Sequence, residues 1–420
     1  MALDIGTAPV AAGPEAPAGG GARRRPPGGR PWPRGSLRRW EWLREGLAAT
    51  LPAWIAGRLL LCGLSWYLDP AHPLGKLFTW DSQWYLVIAR YGYAPGGGNL
   101  IHFFPLTSLT AAGIAAVTRL PVSIALFGFC WLMALLFGAL VHRVVVRETG
   151  DRGAATRAAW LTQLVPGAYA LVMGYTEPLA GVLAVGYFLA IRGGADRDGT
   201  GRDGTDRAWT DRAPRPWTAA GLGFLGGMSR PIGVLLVIPG AVEAVRNARR
   251  EGWSRASVAK GTMSALAPAA GLTVYLAFSR IEFGSWLLPY TQQTAKGGRG
   301  AVIADPIGIL RHVWTHNWRF HGHEVAIWAA ILIVLFGALV LLVARRLPVS
   351  YLAWTVPSFA LAISSKDFTS LPRYVGALFP CLIAAALVTR RPWQWTAVLI
   401  VSCALMLWTA YDVFSIYEVA

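Results

Sequence analysis

The run Leu126-Phe127-Gly128-Phe129-Cys130-Trp131-Leu132-Met133-Ala134-Leu135-Leu136-Phe137-Gly138-Ala139-Leu140-Val141 is apolar on every face and carries no charge. A membrane β-strand alternates over about ten residues, and this run does not alternate. Inside hydrocarbon the backbone must pair its own N–H and C=O groups, which a helix achieves within one segment. Val325 to Ala344 has the same character. Outward from these two, apolar runs near the roughly 20-residue length that spans a bilayer fall at residues 46–68, 123–145, 155–172, 177–192, 217–229, 231–245, 257–279, 324–344, 348–364, 374–389 and 394–412. The sequence therefore predicts an all-α, polytopic integral membrane protein with about eleven transmembrane helices. The pair of runs flanking Arg230 is short enough to be a tight hairpin or a broken helix instead of two full crossings.

Composition agrees: of 420 residues, 54% are hydrophobic and only 15% charged. The net charge of +17 does not point to nucleic acid, because the arginines fall in the N-terminal stretch and the short inter-helix loops, not on one soluble face with aromatic platforms. Cys62, Cys130, Cys381 and Cys403 all sit in apolar runs without metal-ligand spacing and read as small buried hydrophobes. Residues 1–45, rich in Ala, Gly, Pro and Arg, read as a disordered basic tail. Arg38-Arg39 resembles a twin-arginine signal, but the run at 46–68 is too long for a signal core and reads as the first anchor of a membrane domain over 46–412.

Lys and Arg in short loops set the orientation. The tail, His142 to Arg157, Arg192 to Arg215, Arg246 to Arg255, Arg345-Arg346 and Arg390-Arg391 alternate correctly as cytoplasmic regions. This places the N-terminus in the cytoplasm of a multi-pass cell-membrane protein. Asp81, Glu177, Arg230 and Lys366 to Arg373 then share the outer face, as do the long loops 73–122 and 280–322. Phe103 to Leu120, apolar but interrupted by Pro105 and Arg119, reads as an interfacial helix. Residues 193–215, with repeated Asp-Arg and Asp-Gly units, lack the EF-hand spacing and read as a low-complexity cytoplasmic linker.

The chemistry-bearing residues cluster in these outward segments. Trp80-Asp81-Ser82-Gln83-Trp84-Tyr85 puts a carboxylate among aromatics at a membrane surface; Asp81 reads either as a helix cap or as a base that meets substrate there. Glu177, in Gly174-Tyr175-Thr176-Glu177-Pro178, reads either as a cap or as a carboxylate orienting an acceptor hydroxyl. Arg230, in Ser229-Arg230-Pro231, is a cation in apolar surroundings, which marks a site or a salt bridge to a neighbouring helix. Arg373, in Leu371-Pro372-Arg373-Tyr374, is favoured over Lys366 for holding a phosphate because it leads straight into the membrane. Gly221-x-Gly223-x-x-Gly226 matches a dinucleotide fingerprint only as a string; no strand precedes it, and close helix packing explains it better. His312, His316, His321 and His323 read as interfacial histidines among Trp314 and Trp318, so neither a metal nor a cofactor is expected.

Trp80-Asp81, Trp84-Tyr85, Ile88-Ala89, Gly92-Tyr93 and Phe103-Phe104-Pro105, then Tyr175-Thr176-Glu177-Pro178-Leu179, Ser229-Arg230-Pro231-Ile232-Gly233 and Leu371-Pro372-Arg373-Tyr374, occur in an order that resembles the GPI mannosyltransferase 2 (PIG-V type) family, and its bacterial relatives most. The likeness covers roughly residues 50 to 390. At Leu106-Thr107-Ser108 the chain departs from the family, which tends to place a second proline there. The resemblance implies a GT-C class, inverting glycosyltransferase acting outside the cytoplasm. Its donor would be a polyprenyl-phosphate-linked mannose, and its acceptor a glycolipid or glycoprotein of the envelope. Asp81 and Glu177 are the implied catalytic pair. Trp80, Gln83, Trp84, Tyr85, Phe104, Tyr175, Arg230, Arg373 and Tyr374 form the candidate substrate-binding set. The rival reading is a transporter or flippase for a lipid-linked or small anionic substrate, which predicts internal repeats and polar residues near helix centres.

Overall fold

A computed structural model of the chain describes residues 34–94, 98–192, 214–294, 307–308, 311, 325–364 and 370–415. The readings of the histidine cluster, of Lys366 and of most of the linker lie outside these residues. Residues 42–420 form one compact unit, and apart from the start of the first helix, at Arg34, everything below concerns it.

Among the described residues the secondary structure is helical throughout, with no strand. In chain order the helices are α1 (Arg34–Leu68), α2 (Asp81–Tyr91), α3 (Pro105–Thr118), α4 (Val122–Thr149), α5 (Arg152–Leu164), α6 (Glu177–Ile191), α7 (Pro216–Ser229) and α8 (Val237–Arg250). They continue as α9 (Arg255–Phe283), α10 (Leu288–Thr294), α11 (Val325–Arg346), α12 (Val349–Ile363), α13 (Leu371–Gly376), α14 (Phe379–Val388) and α15 (Pro392–Ser415). Tighter 3₁₀ turns occupy Gly75–Phe78, Pro166–Leu171 and Pro231–Leu236.

Among the described residues, six segments are long and apolar enough to cross a membrane: Trp40–Leu68, Val122–Thr149, Pro231–Arg250, Arg255–Phe283, Ala329–Arg346 and Pro392–Ser415. The expected eleven crossings are not reached by length, because several apolar runs form helices that are short or broken. The run at 155–172 stays helical only to Leu164, since Val165 is held extended before Pro166 and a 3₁₀ turn follows. The run at 374–389 is split between α13 and α14. Arg230 is extended before Pro231 and breaks the chain between α7 and the next apolar segment, as the broken-helix reading expects. Helix α1 starts at Arg34, inside the stretch read as tail. The surface helix expected over 103–120 is α3.

Close approach between helices follows from small residues. A Cβ on Gly227 would stand 1.9 Å from the carbonyl oxygen of Pro268, and one on Gly271 1.9 Å from that of Phe224, so α7 and α9 meet backbone to backbone. Polar side chains tie the first helices together. Trp54 Nε1 donates to Trp131 O at 2.9 Å, Trp131 Nε1 to Val172 O at 2.8 Å, and Arg58 to Gln163 Oε1 at 3.0 Å and Leu171 O at 3.1 Å. Large apolar side chains such as Leu59, Val334 and Ile400 remain exposed on the long helices, a surface that suits lipid and not water.

Candidate active site

Asp81, Glu177, Arg230 and Arg373 come from four separate parts of the chain and meet in one buried cluster, none of them more than 9% exposed. Each is placed by the end of a helix. Asp81 and Glu177 are the first residues of α2 and α6, Arg230 follows the last residue of α7, and Arg373 lies in the single-turn-and-a-half α13. Among the described residues neither oxygen of Glu177 accepts a hydrogen bond, so Glu177 does not cap its helix through its side chain. Both carboxylates face guanidiniums from elsewhere in the fold.

Arg373 Nη1 donates to Asp81 Oδ2, and its Nε lies 3.6 Å from Glu177 Oε1. Arg230 Nη1 stands 3.1 Å from the same Glu177 oxygen. This last pair is close in distance but off the hydrogen-bonding direction, since among the described residues neither Glu177 oxygen has a hydrogen-bond partner, and nor does Arg373 Nε. Tyr374 presents its ring to both guanidiniums, at 5.4 Å from Arg230 and 5.1 Å from Arg373. The Tyr175 ring lies 5.3 Å from Arg373. Burial on its own would lower the Arg373 pKa; Asp81 foremost, with Tyr374, Glu177 and Tyr175, outweighs it, so the net shift is upward and the guanidinium stays charged. The Tyr85 phenol is pushed well up by burial and then by the Asp81 and Glu177 charges, against the pull of Arg230 and Arg373, which places it within electrostatic reach of all four.

Local structure explains the positions. Trp80 adopts φ 57, a left-handed conformation costly for a bulky side chain, to turn the chain into α2. The turn is held by Trp80 Nε1 donating to Val413 O at 2.9 Å and by Ser82 Oγ donating to Thr79 O at 2.7 Å. Arg373 is seated by Gly167: a Cβ there would stand 2.0 Å from Pro372 O and 2.7 Å from the Arg373 Cα. Thr107 Oγ1 donates to Thr176 Oγ1 at 2.8 Å, Thr176 Oγ1 to Ser229 O at 3.3 Å, and Ser108 Oγ to Tyr85 O at 2.9 Å. This chain of hydrogen bonds fixes α3, the start of α6 and the end of α7 to one another.

Sequence reading missed Gly167 and Thr107. Gly167 carries no chemistry of its own, and Thr107 was visible only as a departure from the family pattern. Of the other expected residues, Phe104 packs its ring 4.5 Å from Tyr275, in an aromatic group with Tyr93 and Phe278. Trp84 is 41% exposed on the outer side of α2, and Gln83 is half-buried beside it. Among the described residues no group of His, Cys, Asp and Glu has the arrangement of a metal site.

No family model and no curated protein matches the chain. Among solved structures, the apo oligosaccharyltransferase of Archaeoglobus fulgidus is similar over 91% of this chain and 56% of its own, at 16% identity and a TM-score of 0.42. The archaeal oligosaccharyltransferase AglB from the same organism, in complex with an inhibitory peptide and a dolichol-phosphate, is similar over 90% of this chain and 56% of its own, at 15% identity and a TM-score of 0.43. The Archaeoglobus enzyme with Zn and sulfate is similar over 75% of this chain and 44% of its own, at 16% identity and a TM-score of 0.37. The chain spans about half the length of the solved structures it is similar to.

Proposed function

We propose that the protein is a GT-C class membrane glycosyltransferase. In this reading it moves mannose from a polyprenyl-phosphate-mannose donor to a lipid-linked or envelope acceptor on the extracytoplasmic face. The observation that carries the proposal is the meeting of Asp81, Glu177, Arg230 and Arg373 in one buried, under-bonded cluster at the ends of helices. A buried ionic group without full hydrogen bonding is costly, and such arrangements belong where charge develops during a reaction. The order of the sequence blocks supports the mannosyl donor.

In the transfer step an Asp81 oxygen takes the proton of the acceptor hydroxyl as that oxygen bonds to the anomeric carbon. The bond from the anomeric carbon to the phosphate oxygen breaks on the opposite side, and its electron pair leaves with the lipid phosphate. The sugar inverts, the proton rests on Asp81, and a guanidinium meets the growing phosphate charge. In the free protein Arg373 holds Asp81 as an ion pair, and the acceptor hydroxyl meets the carboxylate beside that guanidinium. Glu177, facing both guanidiniums, fixes their positions and orients the acceptor hydroxyl.

The test incubates membranes containing the protein with radiolabelled polyprenyl-phosphate-mannose and a panel of lipid acceptors. Label should pass to an acceptor with wild type and not with Asp81→Asn. Transfer undiminished in Asp81→Asn removes the proposal.

A further inference from the structure

The two arginines of the cluster are held differently. Arg373 is committed to carboxylates, with Nη1 on Asp81 and Nε near Glu177. Arg230 meets Glu177 without a hydrogen bond, faces the Tyr374 ring and lines an apolar cleft. That cleft is walled by Ala180, Gly226, Gly233, Leu236, Trp354 and Leu378, and among the described residues Arg230 is the charged residue of its lining. Small side chains create the space. A Cβ on Gly233 would stand 1.9 Å from Gly226 O, so the turn that carries Arg230 is folded tightly onto the wall of the cleft.

A guanidinium in the lining of a hydrocarbon-walled cleft is complementary to an amphipathic anion. Resting on the glycosyl-transfer reading, we infer that Arg230 binds the phosphate of the lipid-linked donor and that the first isoprenoid unit of its chain lies in this cleft, while Arg373 serves the carboxylates. The free lipid phosphate released by the reaction occupies the same place. Arrival of a phosphate draws Arg230 from Glu177 without breaking a hydrogen bond, because that pair makes none.

The test uses the purified full chain in lipid nanodiscs and a tritiated polyprenyl phosphate that carries no sugar. Arg230→Gln should weaken binding by about tenfold or more, the scale of a lost charge-assisted contact. Ala180→Leu, which fills the cleft and leaves every charge in place, should also weaken it. Polyprenol without the phosphate should compete poorly. Wild-type binding in both Arg230→Gln and Ala180→Leu overturns the inference. So does displacement of the probe by phosphatidic acid as readily as by unlabelled polyprenyl phosphate, which would make this a site for bulk anionic lipid. Should Ala180→Leu fail to fold, a lipid phosphate with a diazirine in its first isoprenoid unit decides: crosslinks on Ala180 to Ala184, Ile232 to Leu236 or Trp354 support the site, and crosslinks confined elsewhere sink it. Because the probe has no sugar, binding that persists when no sugar-lipid supports transfer would remove the enzymatic reading and leave the lipid site. Transfer that proceeds while Arg230→Gln binds normally would do the reverse.

Discussion

Helix α6 separates two buried ionic clusters that differ in how completely they are bonded. Its first residue, Glu177, belongs to the cluster with Asp81, Arg230 and Arg373, and Arg192, directly after its last, belongs to another. At 1.5 Å per residue the helix holds them roughly 22 Å apart. In the second cluster Arg192 clasps Glu148 through Nε at 2.9 Å and Nη2 at 3.0 Å, and donates from Nη1 to Glu243 Oε1 at 2.7 Å and Ser350 Oγ at 2.9 Å. Tyr351 donates to Glu148 at 3.0 Å, and Arg246 to Glu243 Oε2 at 3.3 Å. Every carboxylate there accepts hydrogen bonds, whereas both oxygens of Glu177 accept none among the described residues. Satisfied networks hold α4, α6, α8 and α12 in place. The unsatisfied one keeps bonding capacity for something that arrives.

The largest expected difference between the clusters is chemical. Asp81→Asn should lower transfer by about 10²- to 10⁴-fold, the range for loss of a general base, and leave the protein folded. Initial rates with radiolabelled donor, normalised to protein that elutes as a single detergent-solubilised species, give the measurement. If Asp81→Asn instead fails to fold while transfer per folded molecule is unchanged, the first cluster is as structural as the second.

The same substitution made in both clusters sharpens the contrast. Glu243→Gln breaks a buried pair with direct hydrogen bonds and should cost about 3–5 kcal/mol of stability, with transfer per folded molecule unchanged. Glu177→Gln removes no hydrogen bond, so its cost in stability should be the smaller of the two, and its loss should fall on transfer. Thermal unfolding in detergent compares them. Equal losses of stability would mean that the missing hydrogen bonds at Glu177 have no functional significance.

Gly167→Ala probes how the first cluster is seated. The added Cβ must displace the backbone of Pro372 and Arg373, and overpacking of this kind costs about 1–3 kcal/mol. Transfer should fall by about tenfold as Arg373 loses its register on Asp81, since small misplacements in a site are expensive. A variant with full activity would show that Arg373 tolerates a shift of the backbone that carries it.

Much of this contrast was written in the sequence, and unevenly. Helix identity was legible because Leu126 to Val141 and Val325 to Ala344 offer the backbone no partner outside the helix. Sorting Lys and Arg by loop grouped Asp81, Glu177, Arg230 and Arg373 because each stands at a helix end, where topology decides position. Pairing within the group was not legible: nothing local to Arg373 says that it reaches Asp81, 292 positions away, in preference to Glu177. The Glu148, Arg192 and Glu243 network was hidden for the same reason, since Arg192 counted only as one more loop cation. Helix length was less legible than helix identity, because Pro166 ends α5 early within the apolar run 155–172.

The smallest expected effect concerns Thr107, in a stretch where the sequence departs from the pattern it otherwise resembles. Thr107 is fully buried, and its hydroxyl reaches Thr176, which in turn reaches the Ser229 carbonyl beside Arg230. Proline at a neighbouring position would stiffen the same segment by geometry; threonine does so by a bond that can be cut. Thr107→Val keeps the shape and removes the hydroxyl, so it should cost about 1 kcal/mol and lower transfer only a few-fold, through Thr176 and not through any charge. Paired with Thr176→Val, the two losses should add to less than their sum, because both act on one chain of hydrogen bonds. Strict additivity in thermal unfolding would show that Thr107 and Thr176 act apart, and that the first cluster is held by Gly167 and the Trp80 turn alone.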